Sequence, residues 1–309
     1  MNDSMTFQPG PSKHIKTWST PVAAEECRPV PCALCGGMLF KPFLLCEGFS
    51  YVKCTACGLV QINPQPVTAE VERRYKQLYG NEYFLYERRN EAAFLELQKL
   101  AFNDAGFDRL ERELMGTGGG KVLDVGCATG AMLDFLRGRG WQTAGVEISP
   151  SAEYARNEKK LDVRSQNFED CRFPSESFDL VIASHLIEHL NNPVLFFREA
   201  WRVLRHGAFL MLITPNIGGF QARLLGSRWR SAIFDHLYLF SARTLKAMLK
   251  IQGFKTEGVY TWGGLAAGLA PAPIKAFADK TAKALGIGDV MLIKARKRCF
   301  PGQFTRKPL

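Results

Sequence analysis

The sequence lacks long hydrophobic runs. No stretch approaches the roughly 18–20 consecutive apolar residues that a membrane-spanning helix requires. The first residues, MNDSMTFQPGPSKHIKTW, contain no continuous apolar segment of the kind that a secretory signal carries. Internal repeats and low-complexity tracts are absent as well. These absences argue against a helical membrane protein, a secreted protein and a repeat protein, and they favour a cytoplasmic location.

Acidic residues are too few to balance the basic ones. The chain of 309 residues has 40 Lys and Arg against 30 Asp and Glu, which gives a formal charge of +10. A basic surface favours anionic partners, which include phosphorylated metabolites, nucleic acid and the inner face of a membrane. Hydrophobic residues make up 46% of the chain, as in ordinary packed globular proteins, so composition alone does not choose between these partners.

Composition and periodicity divide the chain into four regions. Residues 1–30 are rich in proline and polar residues and predict a disordered tail, whereas residues 31–66 are dense in cysteine, glycine and aromatics. Residues 67–118 predict a helical linker or cap, because apolar residues recur at intervals of three and four. Residues 119–309 alternate strands with helices, which predicts an α/β fold with a doubly wound, mainly parallel sheet. Within it, segment 265–286 is expected to be partly helical, as a lid or core helix or, alternatively, as a membrane-surface contact.

Two CxxC pairs stand out among the nine cysteines, and they consist of Cys32, Cys35, Cys54 and Cys57. Their spacing matches that of a zinc ribbon. Four thiolates can surround Zn²⁺ tetrahedrally, and the glycine after each pair relieves backbone strain in the turn. Because no ligand position remains for water, the pattern predicts a structural zinc site. Buried unpaired cysteines are the alternative, and the matched spacing disfavours it.

The segment VLDVGCATG, residues 122–130, carries the strongest functional signal. An apolar strand ends there in a tight turn of small residues that opens a helix, so that a ligand can approach the backbone closely. Asp124 would repel the pyrophosphate of a dinucleotide but suits the ammonium and sulfonium groups of S-adenosylmethionine. Glu147 ends the next strand, where an acid can accept both ribose hydroxyls. Alternatively, Asp124 caps the helix and Glu147 is a solvated loop residue.

Four segments together resemble the successive motifs of class I S-adenosylmethionine-dependent methyltransferases, and they are LDVGCATG, GVEIS, SFDLVIASHLIEHLNNP and RVLRHGAFLMLITPN. The resemblance covers about residues 119–262 and is strongest to enzymes that modify ubiquinone precursors, sugars and other small metabolites. It implies a Rossmann-like fold. The implied cofactor contacts are Asp124, Gly126, Cys127 and Gly130 in the first turn, Glu147 for the ribose, Asn167 and Phe168 for the adenine, and Ser184.

The chain departs from the usual motifs at three places. Ala128 replaces the middle glycine of the turn, Asn167 replaces the adenine-binding aspartate, and Gly207-Ala208 replaces a glycine pair. Alanine is still small, and an asparagine carbonyl can accept a hydrogen bond from the adenine amino group. The layout of a CxxC ribbon before the catalytic domain also resembles bacterial enzymes of polysaccharide, deoxysugar and secondary-metabolite biosynthesis.

Histidines are the candidates for the chemistry, since methyl transfer needs an aligned nucleophile and a base that removes its proton. His185 follows the fourth strand of the predicted sheet, and Glu188 and His189 come one helical turn later. His236 lies in DHLYLFS, before the helix cap Ser241. The resembling enzymes carry a Glu-His pair and a histidine at these places, near the substrate. Alternatively, His189 only supports the backbone and His236 only hydrogen-bonds a loop.

Three functions remain open at this point. The first is methyl transfer to a small-molecule acceptor, such as a sugar, a phosphorylated or lipid-linked glycan, or a related metabolite, with peripheral contact to the inner membrane as an option. In this case Trp229 and the neighbouring Arg228 and Arg230 could line the acceptor pocket. The second is RNA modification, which the dispersed basic residues and the lack of clustered aromatics disfavour. The third is a catalytically inactive scaffold. The acceptor atom and the oligomeric state stay open.

Overall fold

A computed structural model describes residues 26–78, 80–116, 120–265 and 271–298. The first 25 residues of the predicted tail lie outside the described residues, as does the part of the predicted 265–286 segment at 266–270. Cys27 and Arg28, which also belong to the predicted tail, form a short strand.

The cysteine-rich region is built from short antiparallel strands. β1 (Cys27–Arg28) pairs with β5 (Gln65–Pro66). A second sheet contains β2 (Phe40–Cys46), β3 (Phe49–Cys54) and β4 (Val60–Ile62). Helices follow, as the apolar spacing predicts, and they are α1 (Thr68–Arg73), a π-helical turn (Arg74–Leu78), α2 (Gly80–Asp104) and α3 (Phe107–Gly116).

Strands and helices alternate in the remainder of the chain. In chain order the elements are β6 (Lys121–Val125), α4 (Ala131–Gly138), β7 (Gln142–Val146), α5 (Ser151–Asn157), β8 (Val163–Arg164), a 3₁₀ turn (Phe168–Cys171), β9 (Phe178–Ser184), α6 (Pro193–Val203), β10 (Leu204–Pro215), α7 (Phe220–Leu225), a 3₁₀ turn (Gly226–Arg228), β11 (Tyr238–Leu239), α8 (Ala242–Ile251), β12 (Phe254–Trp262), α9 (Ala272–Leu285) and β13 (Val290–Lys297).

Seven of these strands form the central sheet, in the order β12-β13-β10-β9-β6-β7-β8. Strands β6 to β10 run parallel to one another, and β13 is inserted antiparallel between β10 and β12. The middle strands are apolar and buried along their length because helices cover both faces. The predicted doubly wound, mainly parallel α/β fold is therefore confirmed.

The cysteine-rich module is joined to the central domain by a shared sheet. β11 pairs antiparallel with β4, with Tyr238 opposite Gln61 and Leu239 opposite Val60. Under this sheet lies a core of aromatic and aliphatic side chains from both parts of the chain, including Tyr51, Trp229 and Phe234. Trp229 is completely buried there, so the hypothesis that it lines an acceptor pocket is wrong.

Helix α9 confirms that segment 265–286 is partly helical, but it is not a core helix. Only Ala282 of this helix is buried, while Ile274, Phe277 and Leu285 are largely exposed. Among the residues that the structure describes, none of the helices combines the length and the apolarity needed to cross a bilayer.

Candidate active site and cysteine cluster

The glycine-rich turn after β6 adopts a conformation that requires small residues. Gly126 has φ +76° and Gly130 has φ +74°, both in the left-handed region that favours glycine. A Cβ on Gly130 would lie only 2.5 Å from Cδ1 of Leu161, so this position has no space for a side chain. Ala128 also has a positive φ, +47°, and alanine therefore occupies a backbone position better suited to glycine.

Asp124 lies at the end of β6, immediately before this turn. Its side chain is buried, with 3% exposure, and its Oδ1 has no hydrogen-bond partner among the described residues. Burial, together with the nearby negative charge of Glu147, raises the pKa of Asp124 to about 7. A cationic ligand would stabilise the ionised form of this buried, unpartnered carboxyl, because its positive charge would compensate for the loss of solvation.

Glu147 directly follows β7, the strand beside β6, and holds the turn from that side. Its Oε2 accepts a hydrogen bond from the N–H of Ala128 at 3.0 Å, and its Oε1 accepts one from the N–H of Ser149 at 2.7 Å. Because β6 and β7 are parallel neighbours, the two predicted acids at their carboxyl ends face one crevice, and the charge of Glu147 acts on Asp124.

Asn167 and Phe168, the predicted adenine contacts, are placed differently from each other. Asn167 is half-buried beyond β8, and its Nδ2 donates a hydrogen bond to Oε1 of Glu72 in α1 at 2.9 Å. The ring of Phe168 is buried against Phe173 and Phe196 in the core. This packing gives no support to the expectation that the Phe168 ring meets the adenine face.

Cys127 and Ser184 complete the set of predicted cofactor residues. The Cys127 side chain is buried in a cluster with Leu133 and Leu161, so only its backbone belongs to the turn. Ser184 is half-buried at the carboxyl end of β9, which neighbours β6 in the sheet.

His185, directly after β9, is paired with a buried carboxylate. Its Nδ1 lies 3.3 Å from Oε1 of Glu188, and the His185 side chain is 50% exposed whereas that of Glu188 is 1% exposed. Thr214 donates a hydrogen bond to Oε2 of Glu188 at 3.0 Å. Oε1 of Glu188 has no hydrogen-bond partner among the described residues. Burial alone would raise the pKa of Glu188, but the nearby side chains of His185, His189 and His236 lower it to about 2. Glu188 is therefore ionised at neutral pH.

His189 and His236 stack edge to face, with ring centroids 4.7 Å apart. Nδ1 of His189 lies 2.9 Å from the carbonyl oxygen of Asp235 and 2.7 Å from the hydroxyl of Tyr75. Nδ1 of His236 lies 2.8 Å from the carbonyl oxygen of Ser231. Since a carbonyl only accepts hydrogen bonds, the contact with Ser231 places the proton of His236 on Nδ1. Burial, and then the charge of His189, lower the pKa of His236 to about 3, so His236 is a weak base.

The four cysteines of the CxxC pairs meet at one point. The Sγ atoms of Cys32, Cys35, Cys54 and Cys57 all lie within 4.8 Å of one another. The two pairs have the same turn, because the carbonyl of the first cysteine accepts a hydrogen bond from the N–H of Gly36 or Gly58, and both glycines have positive φ. Tetrahedral zinc with bonds of about 2.3 Å separates its sulfur ligands by about 3.8 Å, so the quartet is close to the required size.

Comparison with known proteins decides the family. The methyltransferase domain family matches residues 86–258, more than half of the chain. The chain belongs to that family. It is a class I methyltransferase, and S-adenosylmethionine is its methyl donor.

Individual relatives agree with this assignment. The methyltransferase is 28% identical over 210 residues to a probable S-adenosylmethionine-dependent methyltransferase of Mycolicibacterium smegmatis, covering 66% of this chain and 72% of that protein. It is 32% identical over 109 residues to the mitochondrial ubiquinone biosynthesis O-methyltransferase of Rattus norvegicus, covering 32% of this chain but only 31% of the rat enzyme. A crystal structure of a methyltransferase from Archaeoglobus fulgidus shares the fold, with a TM-score of 0.51 and 19% identity over 70% of this chain and 99% of that one.

Helices α1 and α2 of the methyltransferase, and the π-helical turn between them, contribute site residues that sequence reasoning missed. Glu72 contacts Asn167, Tyr75 contacts His189, and Glu87 accepts a hydrogen bond from Ser151 at 2.6 Å. Burial and the charge of Glu147 raise the pKa of Glu87 to about 8. The helical periodicity placed these residues on helices but gave no signal that the helices close over the carboxyl edge of the sheet.

A groove of about 430 Å³ lies between α2 and α4 of the methyltransferase domain. It is lined by α4 and α2 side chains, including Phe135, Leu95 and Glu91. None of the predicted site residues lines this groove, so we place the chemistry in the crevice and not there.

Proposed function

We propose that the crevice between β6, β7 and β8 binds S-adenosylmethionine through Asp124, Glu147 and Asn167. The observation that carries this proposal is the buried Oδ1 of Asp124, which has no partner among the described residues. The ammonium and sulfonium groups of the donor would stabilise the ionised form of this acid. The positive φ angles of Gly126 and Gly130 keep the turn free of side chains, so a ligand can approach its N–H groups.

Each predicted residue takes a defined part of the donor in this arrangement. Asp124 and the backbone of the turn from Gly126 to Gly130 face the methionine end, with the backbone of Cys127 included. Glu147 is the acceptor for the ribose hydroxyls, and Asn167 contacts the adenine amino group. Ser184, at the end of β9 beside β6, is the remaining predicted contact to the donor. When bound, the donor supplies an electrophilic methyl group on sulfur.

His185 is the residue that we assign as general base. Its side chain is half exposed at the carboxyl end of β9, and the buried carboxylate of Glu188 lies 3.3 Å from its Nδ1, where it can orient the ring. A distance of 3.3 Å between Nδ1 and Oε1 is long, but such contacts commonly tighten when substrate binds. His236 is too weak a base for this role, and Tyr75 and the Asp235 carbonyl hold one side of His189, which we assign to positioning.

The acceptor in this proposal is a hydroxyl group of a small metabolite. The base arrangement supports it, because a hydroxyl must lose a proton as the methyl group is transferred. The similarity to ubiquinone biosynthesis O-methyltransferases, which the chain matches over about a third of its length, supports a small-molecule acceptor as well. The charge of +10 favours an anionic one, such as a phosphorylated sugar or a glycan linked to a lipid phosphate.

The cysteine quartet is proposed to bind one structural zinc ion. Burial raises the pKa of the Cys32 thiol, and it raises that of Cys57 to about 11, so these thiols lose their protons readily only if a cation is bound between them. All four ligand positions are taken by sulfur, which leaves none for a reacting molecule. The metal would therefore stabilise the module and, through β4 and β11, the chain segment that carries His236.

Labelled methyl transfer tests this function. The purified protein is incubated with methyl-labelled S-adenosylmethionine and either a small-molecule extract or total RNA, and the products are separated by size and analysed by mass spectrometry. We expect label in small anionic metabolites, and we expect His185→Ala to abolish it. Label confined to RNA, or an equal yield with His185→Ala, would contradict the proposal.

A further inference from the structure

Asn167 and Glu72 form a contact between the end of the third parallel strand and the helices that precede the sheet. Nδ2 of Asn167 lies 2.9 Å from Oε1 of Glu72, and Oε2 of Glu72 lies 2.9 Å from Nζ of Lys76. The contact spans 95 residues of the chain, so it is a tertiary feature and not a local turn. Both carboxylate oxygens of Glu72 are thus engaged, one by the amide and one by the lysine.

An asparagine at this position poses a chemical ambiguity. The amino group of adenine donates hydrogen bonds and requires an acceptor. An aspartate offers acceptors only, whereas an asparagine can turn either its carbonyl oxygen or its amide nitrogen toward a ligand. An amide that presented its nitrogen would favour a 6-oxopurine, whose oxygen accepts, over adenine.

Glu72 removes this ambiguity. A carboxylate can only accept hydrogen bonds. Of the two possible orientations of the Asn167 amide, only the one that turns Nδ2 toward Glu72 is therefore compatible with this contact. The hydrogen bonds from Lys76 and Asn167 lower the pKa of Glu72, which keeps it ionised at neutral pH. Oδ1 then has no donor among the described residues and is the group left for a ligand.

We propose that Glu72 is a positioning residue that fixes the Asn167 amide and thereby makes the site select adenine over 6-oxopurine nucleosides. The inference rests on the proposed function, since it takes Asn167 as the adenine contact. It assigns a role in donor selection to α1, which lies outside the segment that resembles the methyltransferase motifs.

Calorimetry with two ligands tests the inference. S-adenosylhomocysteine carries the amino group, and S-inosylhomocysteine, its deaminated form, carries an oxygen in its place. We expect the wild-type protein to bind the adenosyl ligand about 100-fold more tightly, because the oxygen would face Oδ1 without a hydrogen between them. In Glu72→Ala the amide can rotate, so the two dissociation constants should come within about threefold of each other.

Two further variants separate positioning from mere stabilisation of the helix. In the double variant Glu72→Ala/Asn167→Asp, the carboxylate at position 167 offers only acceptor atoms and needs no orientation. We expect this variant to regain the preference for the adenosyl ligand. Lys76→Ala removes the other partner of Glu72 but leaves the Asn167 contact, so its preference should match that of the wild type.

The outcomes distinguish the inference from the proposed function. If the wild-type protein binds neither ligand, both fail together. If it prefers the adenosyl ligand and Glu72→Ala keeps that preference, or the double variant does not regain it, then only the role of Glu72 is refuted. Equal binding of both ligands by the wild type would also refute it.

Discussion

The N–H of Ala128 donates a hydrogen bond to Oε2 of Glu147 over 3.0 Å. This bond joins the one unusual residue of the glycine-rich turn to the acid that ends the neighbouring strand. Because Oε1 of the same carboxylate accepts from Ser149, Glu147 shapes the crevice as well as facing it. Replacing Glu147 should therefore affect both the fit and the affinity of a ligand.

Substitution of Glu147 should impair cofactor binding. We expect Glu147→Ala to weaken S-adenosylhomocysteine binding about 100-fold, since both ribose hydroxyls and the Ala128 N–H lose their acceptor. Isothermal titration calorimetry measures the change. Glu153→Ala, at an exposed position of α5, is the matched control and should retain wild-type affinity. Equal affinities for Glu147→Ala and the control would remove Glu147 from the site.

Asp124 should make the stability of the ligand-free protein fall as pH rises. Its pKa is about 7 in the folded protein against an ordinary 3.8, so the folded state retains a proton that the unfolded chain has released. The stabilising contribution is complete below about pH 4 and is lost as pH approaches 7. His236, whose pKa is lowered to about 3, acts in the opposite direction, so the comparison must be made against a variant.

Asp124→Asn provides that comparison, because it keeps the shape of the side chain and removes its titration. Denaturant unfolding at pH 5 and at pH 8 gives the free energies of unfolding. From pH 5 to pH 8, the free energy of unfolding of the variant should rise by about 2–3 kcal/mol relative to that of the wild type. A difference between wild type and variant that does not change with pH would show that Asp124 is ionised throughout.

Metal analysis should find about one zinc ion per chain. Cys32→Ser or Cys54→Ser should abolish zinc binding and lower the free energy of unfolding by more than about 2 kcal/mol, because both cysteines lie in the core shared with Tyr238 and Phe240. Cys46→Ser, outside the quartet, should keep the metal. Full zinc content in the Cys54→Ser protein would rule out the four-sulfur site.

His185 and His236 should respond differently to substitution. His185→Asn should lower kcat about 10²–10⁴-fold while leaving the affinity for S-adenosylhomocysteine unchanged, as expected for loss of a general base. His236→Asn should act mainly through stability, since this residue is buried and neutral. Steady-state kinetics and calorimetry on the same preparations separate the two effects. A larger loss of kcat in His236→Asn than in His185→Asn would reverse the assignment.

The sheet and the first crevice residues could be predicted because their signals are local. KVLDV and FDLVIAS are short apolar strands bounded by turns, and the acids follow directly where strands end. The cysteine quartet was predictable for the same reason, because the matched spacing of the two pairs lies in one short segment.

The remaining features depend on contacts between distant residues. The Tyr75 contact with His189 spans 114 residues and the Glu72 contact with Asn167 spans 95, so no local pattern reveals them. An aromatic residue after a strand gives the same pattern whether it enters the core or the crevice, and Phe168 enters the core. The sequence around Trp229 likewise contains no local pattern that predicts its packing beneath the sheet shared with the cysteine module.

Calorimetric titration of the wild-type protein with S-adenosylhomocysteine tests the central claim most directly, when Asp124→Ala is titrated in parallel. The account predicts one binding site with micromolar affinity in the wild type and a loss of at least about 100-fold in the variant, because the proposal assigns Asp124 to the ammonium group of the ligand. No heat of binding at millimolar ligand, or unchanged affinity in Asp124→Ala, would contradict it.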